Sequence, residues 1–178
     1  DGKNTQNFDI VIRAYAPENS NLTRDVWTIH FAAPKSPLRG RYIMLNSSIK
    51  SANSLISHLA VPSDIQPSYA PCDQSLVTVT VVGEDARKLG LTSKQAVEES
   101  VTKELSHWFP GQVDEWRVLE VQYIESGLPE FSSEDFDNMM TLSSDNLCGD
   151  STYHASVEGA LLSAQRVIDN LLKSGSQD

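Results

Sequence analysis

Leu76-Val77-Thr78-Val79-Thr80-Val81-Val82 is almost wholly β-branched and is bounded by turn-forming residues. Such side chains lose little freedom on a pleated surface, so the run predicts a strand, the clearest in the chain. Working back from it, Pro62 to Asp73 carries three prolines and reads as irregular. Ser54 to Val61 reads as a weaker strand, Tyr42 to Leu45 as a short one, and Val26 to Ala32 as a long one. Phe8 to Tyr15 alternates, with Phe8, Ile10 and Ile12 on one face and Asp9, Val11 and Arg13 on the other, which also predicts a strand. Working forward, Thr92 and Gln95 form a capping-box pattern with Leu91 as hydrophobic staple. Val97, Val101, Leu105 and Trp108 follow at helical spacing, and Phe109-Pro110-Gly111 stops the helix. Trp116 to Ile124 predicts one more strand, and Gly127 to Asp137 an acidic irregular segment.

Strands therefore come first, one helix stands between strands, and one helix closes the chain. That order predicts an α+β fold, a mixed or antiparallel sheet with helices packed on it and a helix at the C-terminus. In the last helix Val157, Ala160, Leu161, Ala164, Ile168 and Leu171 share a stripe, and Lys173-Ser174-Gly175 ends it.

Composition narrows the function. The chain has 178 residues and a formal charge of −10, with no Lys/Arg stripe, which argues against nucleic acid as a partner. No apolar run approaches the length of about 18 residues that a membrane span needs. The two cysteines, Cys72 and Cys148, read as reduced thiols in a reducing compartment, with a disulfide between them left open. The four histidines stand in no metal-ligand spacing, so no metal site is expected, and there is no GxSxG nucleophile elbow. No two glycines stand in GxG spacing, so there is neither a P-loop nor a complete Rossmann domain. The start, Asp1-Gly2-Lys3-Asn4, has the look of a fragment or a processed product.

Chemistry concentrates at the C-terminus. A short apolar approach, Asn146 to Cys148, ends in Gly149-Asp150, and a helix opens near Ala155-Ser156. Gly149 allows close backbone approach, Asp150 offers acceptors to sugar-type hydroxyls, and the helix start presents unpaired N–H groups with positive partial charge. The same pattern also describes a plain capped helix after a turn.

Asn146-Leu147-Cys148-Gly149-Asp150-Ser151-Thr152-Tyr153-His154-Ala155-Ser156-Val157-Glu158-Gly159-Ala160-Leu161-Leu162-Ser163 resembles the closing motif of the flavin amine oxidase and phytoene desaturase superfamily. Those chains end in a Gly-Asp pair, a short loop and a helix opening on Met/Val-Glu-Gly-Ala. Pro67-Ser68-Tyr69-Ala70-Pro71 is similar to a sequence in plant and cyanobacterial members. The resemblance spans about residues 40 to 173. It implies FAD as cofactor, with Gly149, Asp150, Ser156 and Val157 as its contacts: Asp150 near the ribityl and pyrophosphate region, and the Val157 backbone at the pyrimidine edge. A helix start there would favour negative charge on the reduced ring. Residues 1–140 would form a substrate-domain sheet walling an apolar cavity, and 141–178 the FAD-contacting strand, loop and helix.

Ser156 stands where monoamine oxidases place a cage tyrosine, which points to a desaturase- or isomerase-like subgroup. Cys148 reads as a packing residue rather than a covalent flavin attachment. The resulting expectation is the C-terminal portion of an FAD-dependent oxidoreductase that moves hydride from an apolar small-molecule substrate to flavin, with no catalytic side chain here and no activity alone. Its site would be completed by an N-terminal FAD domain or a second copy, in the cytoplasm or the plastid stroma. The alternative is a standalone non-catalytic binding module derived from that family.

Overall fold

Val77, Val79 and Val81 are fully buried, and the strand that carries them lies at the centre of a five-stranded sheet. A computed structural model describes residues 6–14, 23–47, 54–130, 132 and 146–174. Its strands are β1 (Thr23–Ala33), β2 (Met44–Leu45), β3 (Ile56–Ala60), β4 (Ser75–Val82) and β5 (Arg117–Pro129). The helices are α1 (Pro62–Ile65), α2 (Gly83–Lys88), α3 (Lys94–Trp108) and α4 (Val157–Ser174). Sheet order is β2-β3-β4-β1-β5. β4 pairs antiparallel with both neighbours: Ile29 faces Val79 on one side, and Leu59 faces Val79 on the other. Trp27 stacks on Tyr123 while Phe31 meets Trp116, so β5 runs antiparallel to β1. The α+β class with a C-terminal helix is therefore the observed one.

The chain divides into two compact units, Arg24–Gly127 and a second made of Asp1–Thr23 with Leu128–Asp178. In the first, alternate residues of β1 (Trp27, Ile29, Phe31, Ala33) and of β4 enter one core. Val97, Val101 and Leu105 of α3 and Ala86 of α2 enter the same cluster. Each fully buried aliphatic or aromatic side chain there contributes about 1.5–3 kcal/mol of transfer free energy. Phe109 and Trp116, with ring centroids 5.8 Å apart, extend the core where α3 hands over to β5.

Two polar clusters fasten this unit. The Glu104 carboxylate on α3 accepts from the backbone N–H groups of Leu55 at 2.8 Å and Ile56 at 3.2 Å, from Ser54 Oγ at 2.9 Å and from Asn46 Nδ2 at 3.2 Å. The loop into β3 thus finds acceptors for its otherwise unpaired donors. Asp25, only 8% exposed at the start of β1, is held by both guanidinium arms of Arg87 and by the Tyr123 hydroxyl at 3.0 Å. The Arg87 hydrogen bonds, helped by Tyr123 and opposed by burial, hold the Asp25 carboxyl below its usual range. Gly83 is required beside it, because a Cβ there would lie 1.8 Å from Asp25 Oδ2.

Several local expectations are corrected. Phe8 to Ala14 forms no regular strand; among the described residues an isolated parallel bridge at Arg13 is its one ladder contact, and Phe8, Ile10, Val11 and Ile12 stay exposed. Alternation marks two faces, but a strand also needs a continuous partner for its backbone groups. Tyr15 lies outside the described residues. The N-cap of α3 is Ser93 rather than Thr92: its hydroxyl accepts from Ala96 N–H at 3.2 Å, while Gln95 bonds to Glu99. Pro62–Ile65 and Pro67–Tyr69 are short helical turns rather than irregular chain, since proline suits a first helical position. β5 runs on to Pro129, past the expected end at Ile124 and into the segment read as irregular from Gly127. The rest of that segment lies almost wholly outside the described residues.

Candidate functional site

The second unit is built around the approach to Gly149. Arg13 N–H donates to Asn146 C=O, and Cys148 N–H donates to Arg13 C=O, each at 2.8 Å. The Cys148 thiol is buried and unbridged. Gly149 then adopts φ 129° and ψ 171°, a conformation essentially confined to glycine. Among the described residues nothing lies within 4 Å of where its Cβ would stand, so the backbone conformation demands glycine and its face is open to close approach.

A single 3-10 turn, Asp150–Thr152, follows. Thr152 ties it back to Gly149 C=O through its N–H at 3.1 Å and its hydroxyl at 2.8 Å. Among the described residues the Asp150 carboxylate has no hydrogen-bond or ion-pair partner, and it is half-buried. Ser151 Oγ is buried and also lacks a partner.

The helix α4 begins at Val157, two residues after the expected Ala155. Ser156 caps it, its hydroxyl accepting from Gly159 N–H at 2.9 Å and its carbonyl from Ala160 N–H at 3.0 Å. The N–H groups of Val157 and Glu158 remain without a partner among the described residues, and the Val157 side chain is 80% exposed. Two donors stand at the positive end of an 18-residue helix, and the same loop carries a carboxylate and an open glycine. That donor and acceptor set suits a polar, partly anionic ring edge carried on a polyhydroxyl chain.

The loop is locked onto the helix by small residues. A Cβ on Gly159 would lie 2.1 Å from the His154 carbonyl oxygen, so only glycine lets the loop fold back there. Ser163, 3% exposed, accepts from Gly149 N–H at 2.8 Å and can donate to Ala160 C=O at 2.7 Å. His154 Nδ1 lies 2.8 Å from Ser156 Oγ, the Tyr153 and His154 rings are 4.9 Å apart, and Arg166 lies over the Tyr153 ring.

Of the residues expected from sequence, Gly149, Asp150, Ser156 and Val157 all fall on this one loop and helix start. Gly159, Ser163 and His154 were not singled out. The signal for the first two was present, since small residues four apart mark a close-approach face on a helix. On the apolar stripe of α4, Val157, Leu161 and Ile168 are exposed and Ala160, Ala164 and Leu171 half-buried, while the buried side is Gly159, Ser163 and Val167. Among the described residues no group of three or more His, Cys, Asp or Glu could hold a metal, and no helix is long and apolar enough to cross a membrane.

Solved structures share this fold. A Pyrococcus furiosus protein aligns with TM-score 0.56 at 18% identity, covering 86% of this chain and 33% of its own. An oxidoreductase from Methanosarcina mazei aligns with TM-score 0.56 at 17% identity, covering 83% and 34%. A provisionally assigned protoporphyrinogen oxidase from Exiguobacterium sp. 255-15 aligns with TM-score 0.65 at 18% identity, covering 89% and 37%. The chain thus spans about a third of the length of these neighbours. No curated protein sequence matches it. Fold and sheet topology together place it in the α+β class that these neighbours share. Its sequence is more specific, because the model of the flavin containing amine oxidoreductases matches residues 26–172. The chain belongs to that family, and the family implies a flavin cofactor.

Proposed function

We propose that this chain supplies the flavin-contacting edge and substrate-side sheet of an FAD-dependent oxidoreductase. The observation that carries the reading is the loop from Gly149 to Val157, open at the glycine, unpaired at Asp150 and presenting two free N–H groups, inside a chain of the flavin amine oxidoreductase family. Asp150 would accept from hydroxyls of the ribityl and pyrophosphate region, and Val157 and Glu158 N–H would donate to the pyrimidine carbonyl edge of the ring. The bound flavin would accept hydride from a substrate C–H bond. The helix start contributes electrostatics, favouring the reduced, more negative ring. No side chain of the described loop is needed as acid or base.

The substrate reading is an apolar small molecule in a desaturase- or isomerase-like subgroup, supported by serine rather than an aromatic at position 156. Residues 1–140 serve as the substrate-domain-like region and 141–178 as the FAD-contacting segment. The cytoplasm or plastid stroma fits the two unbridged cysteines and the plant-type Pro67–Pro71 sequence. The exposed stripe Val157, Leu161, Ile168 and Leu172 is a surface that an FAD-binding portion or a second copy would cover. The FAD site is accordingly incomplete in this chain alone. Incubation with excess FAD followed by desalting tests this: little flavin should stay with the 178-residue chain, and stoichiometric flavin with an oxidoreductase that includes a dinucleotide-binding portion. Stoichiometric retention by the chain alone overturns the incomplete site; no retention by the larger protein overturns the flavin reading.

A further inference from the structure

We propose that His154 is a positioning residue for the flavin edge, fixing through Ser156 the direction in which the first turn of α4 presents its hydroxyl proton. The proposal rests on the flavin-edge reading above for its consequence, but its geometry stands within one loop. Ser156 Oγ already accepts Gly159 N–H at 2.9 Å, and at 2.8 Å it faces His154 Nδ1. With a neutral imidazole the complementary arrangement is a relay: Gly159 N–H donates to Ser156 Oγ, and Ser156 O–H donates to the Nδ1 lone pair. The imidazole proton then sits on Nε2. The ring cannot drift from this position cheaply. Its residue's carbonyl lies against Gly159, where even a methyl group would not fit, and that carbonyl also accepts Ser156 N–H at 2.7 Å.

Protonation reverses the relay. Imidazolium carries N–H at both nitrogens, so Nδ1 donates to Ser156 Oγ, which then has two incoming donors. The hydroxyl proton must turn outward, toward whatever acceptor sits at the start of α4. One proton is taken up from solvent and no covalent bond other than that N–H forms. Among the described residues, the charged or titratable groups on the loop and helix around His154 are Asp150 in the preceding turn, Tyr153 on its own loop, and Glu158, Arg166, Asp169 and Lys173 on α4, with Arg166 over the Tyr153 ring at 4.9 Å. The pair His154–Ser156 thus supplies an acid-dependent donor at the ring edge, a function distinct from the backbone contacts of Val157 and Glu158.

Two measurements test it. In the 178-residue chain with ¹⁵N-labelled histidine, the His154 nitrogens report the tautomer directly by NMR. With the ring neutral, Nδ1 should resonate as an unprotonated nitrogen and Nε2 as a protonated one, and Ser156→Ala should restore the mixed tautomers of free imidazole. Protonated Nδ1 in the wild type, or no response to Ser156→Ala, overturns the relay. The consequence is read as FAD affinity against pH in an oxidoreductase that carries this chain together with a dinucleotide-binding portion. His154→Leu frees the Ser156 hydroxyl to turn outward at any pH, so it should bind several-fold more tightly than the wild type at neutral pH, on the order of one hydrogen bond gained, with a flat pH profile. His154→Asn, which keeps an acceptor near Nδ1, should hold wild-type affinity at neutral pH with a flat profile. Equal behaviour of the two variants overturns the positioning role. Absence of FAD binding in the wild type overturns the flavin reading and leaves the tautomer result to decide the relay.

Discussion

Replacing Gly159 with alanine should destabilise the protein, against the general rule for glycine in a helix. Elsewhere in a helix the change gains up to about 1 kcal/mol, because alanine has the better propensity and a less free unfolded state. Here the new Cβ would stand 2.1 Å from the His154 carbonyl oxygen and 2.8 Å from its Nδ1. Ordinary contact begins at 3.4 Å, so the loop must retreat by 3.4 − 2.1, about 1.3 Å. A shift of that size breaks the Ser156 cap on Gly159 N–H, worth about 1 kcal/mol. It also strains the bond from Gly149 N–H to Ser163, worth about 1 kcal/mol more. With the clash itself added, the net expectation is a loss of about 1–2 kcal/mol. Urea denaturation followed by circular dichroism measures it, and amide NMR should show Gly149 and Ser156 displaced. A neutral or stabilised variant with unchanged amide positions would refute the claim that Gly159 exists to seat the loop on α4.

Other consequences follow from the same geometry. Asp25→Asn should cost about 2 kcal/mol at neutral pH, near the low end for a broken buried pair because Arg87 is half exposed. Asp25 has its carboxyl held below the ordinary value of 3.8, so the stability it adds is complete above that value and is lost as pH falls through the lower folded value. Acid titration of stability should therefore be shallower below about pH 4 in the variant than in the wild type. Glu104→Ala leaves the Leu55 and Ile56 N–H groups without their acceptor, at a cost of about 2–3 kcal/mol by urea denaturation, with raised hydrogen exchange at those two amides. Ser163→Ala should cost about 1 kcal/mol and speed exchange of Gly149 N–H, with no effect on the Arg24–Gly127 unit.

Where pattern and burial coincide, the sequence was readable. Val77, Val79 and Val81 alternate because one face of β4 is sealed in the core, and Val97, Val101 and Leu105 recur at helical spacing because α3 offers that core one side. Phe8 to Ala14 alternates just as cleanly, yet among the described residues a single bridge at Arg13 is all that takes up its backbone groups, and pairing is not written in a single segment. The α2 helix was invisible because Gly83 and Glu84 look like a turn; it is held by Asp25, far away in sequence. At the candidate site the motif from Asn146 to Ser163 identified the loop, and its glycine conformation and free donors are visible in the structure. His154 escaped notice because its role depends on a hydroxyl two residues on that also caps a helix, a relation of geometry rather than of spacing.

The most direct test of the flavin-edge reading is an amide NMR titration of the 178-residue chain with FAD. Weak, millimolar-range binding is expected on the proposal that the rest of the cofactor's contacts come from outside this chain. The shifts should concentrate at Gly149, Asp150, Val157 and Glu158, with Val157 and Glu158 amides gaining protection. Shifts centred away from this loop, or none at it under saturating FAD, would contradict the assignment of Gly149 to Glu158 as the flavin edge.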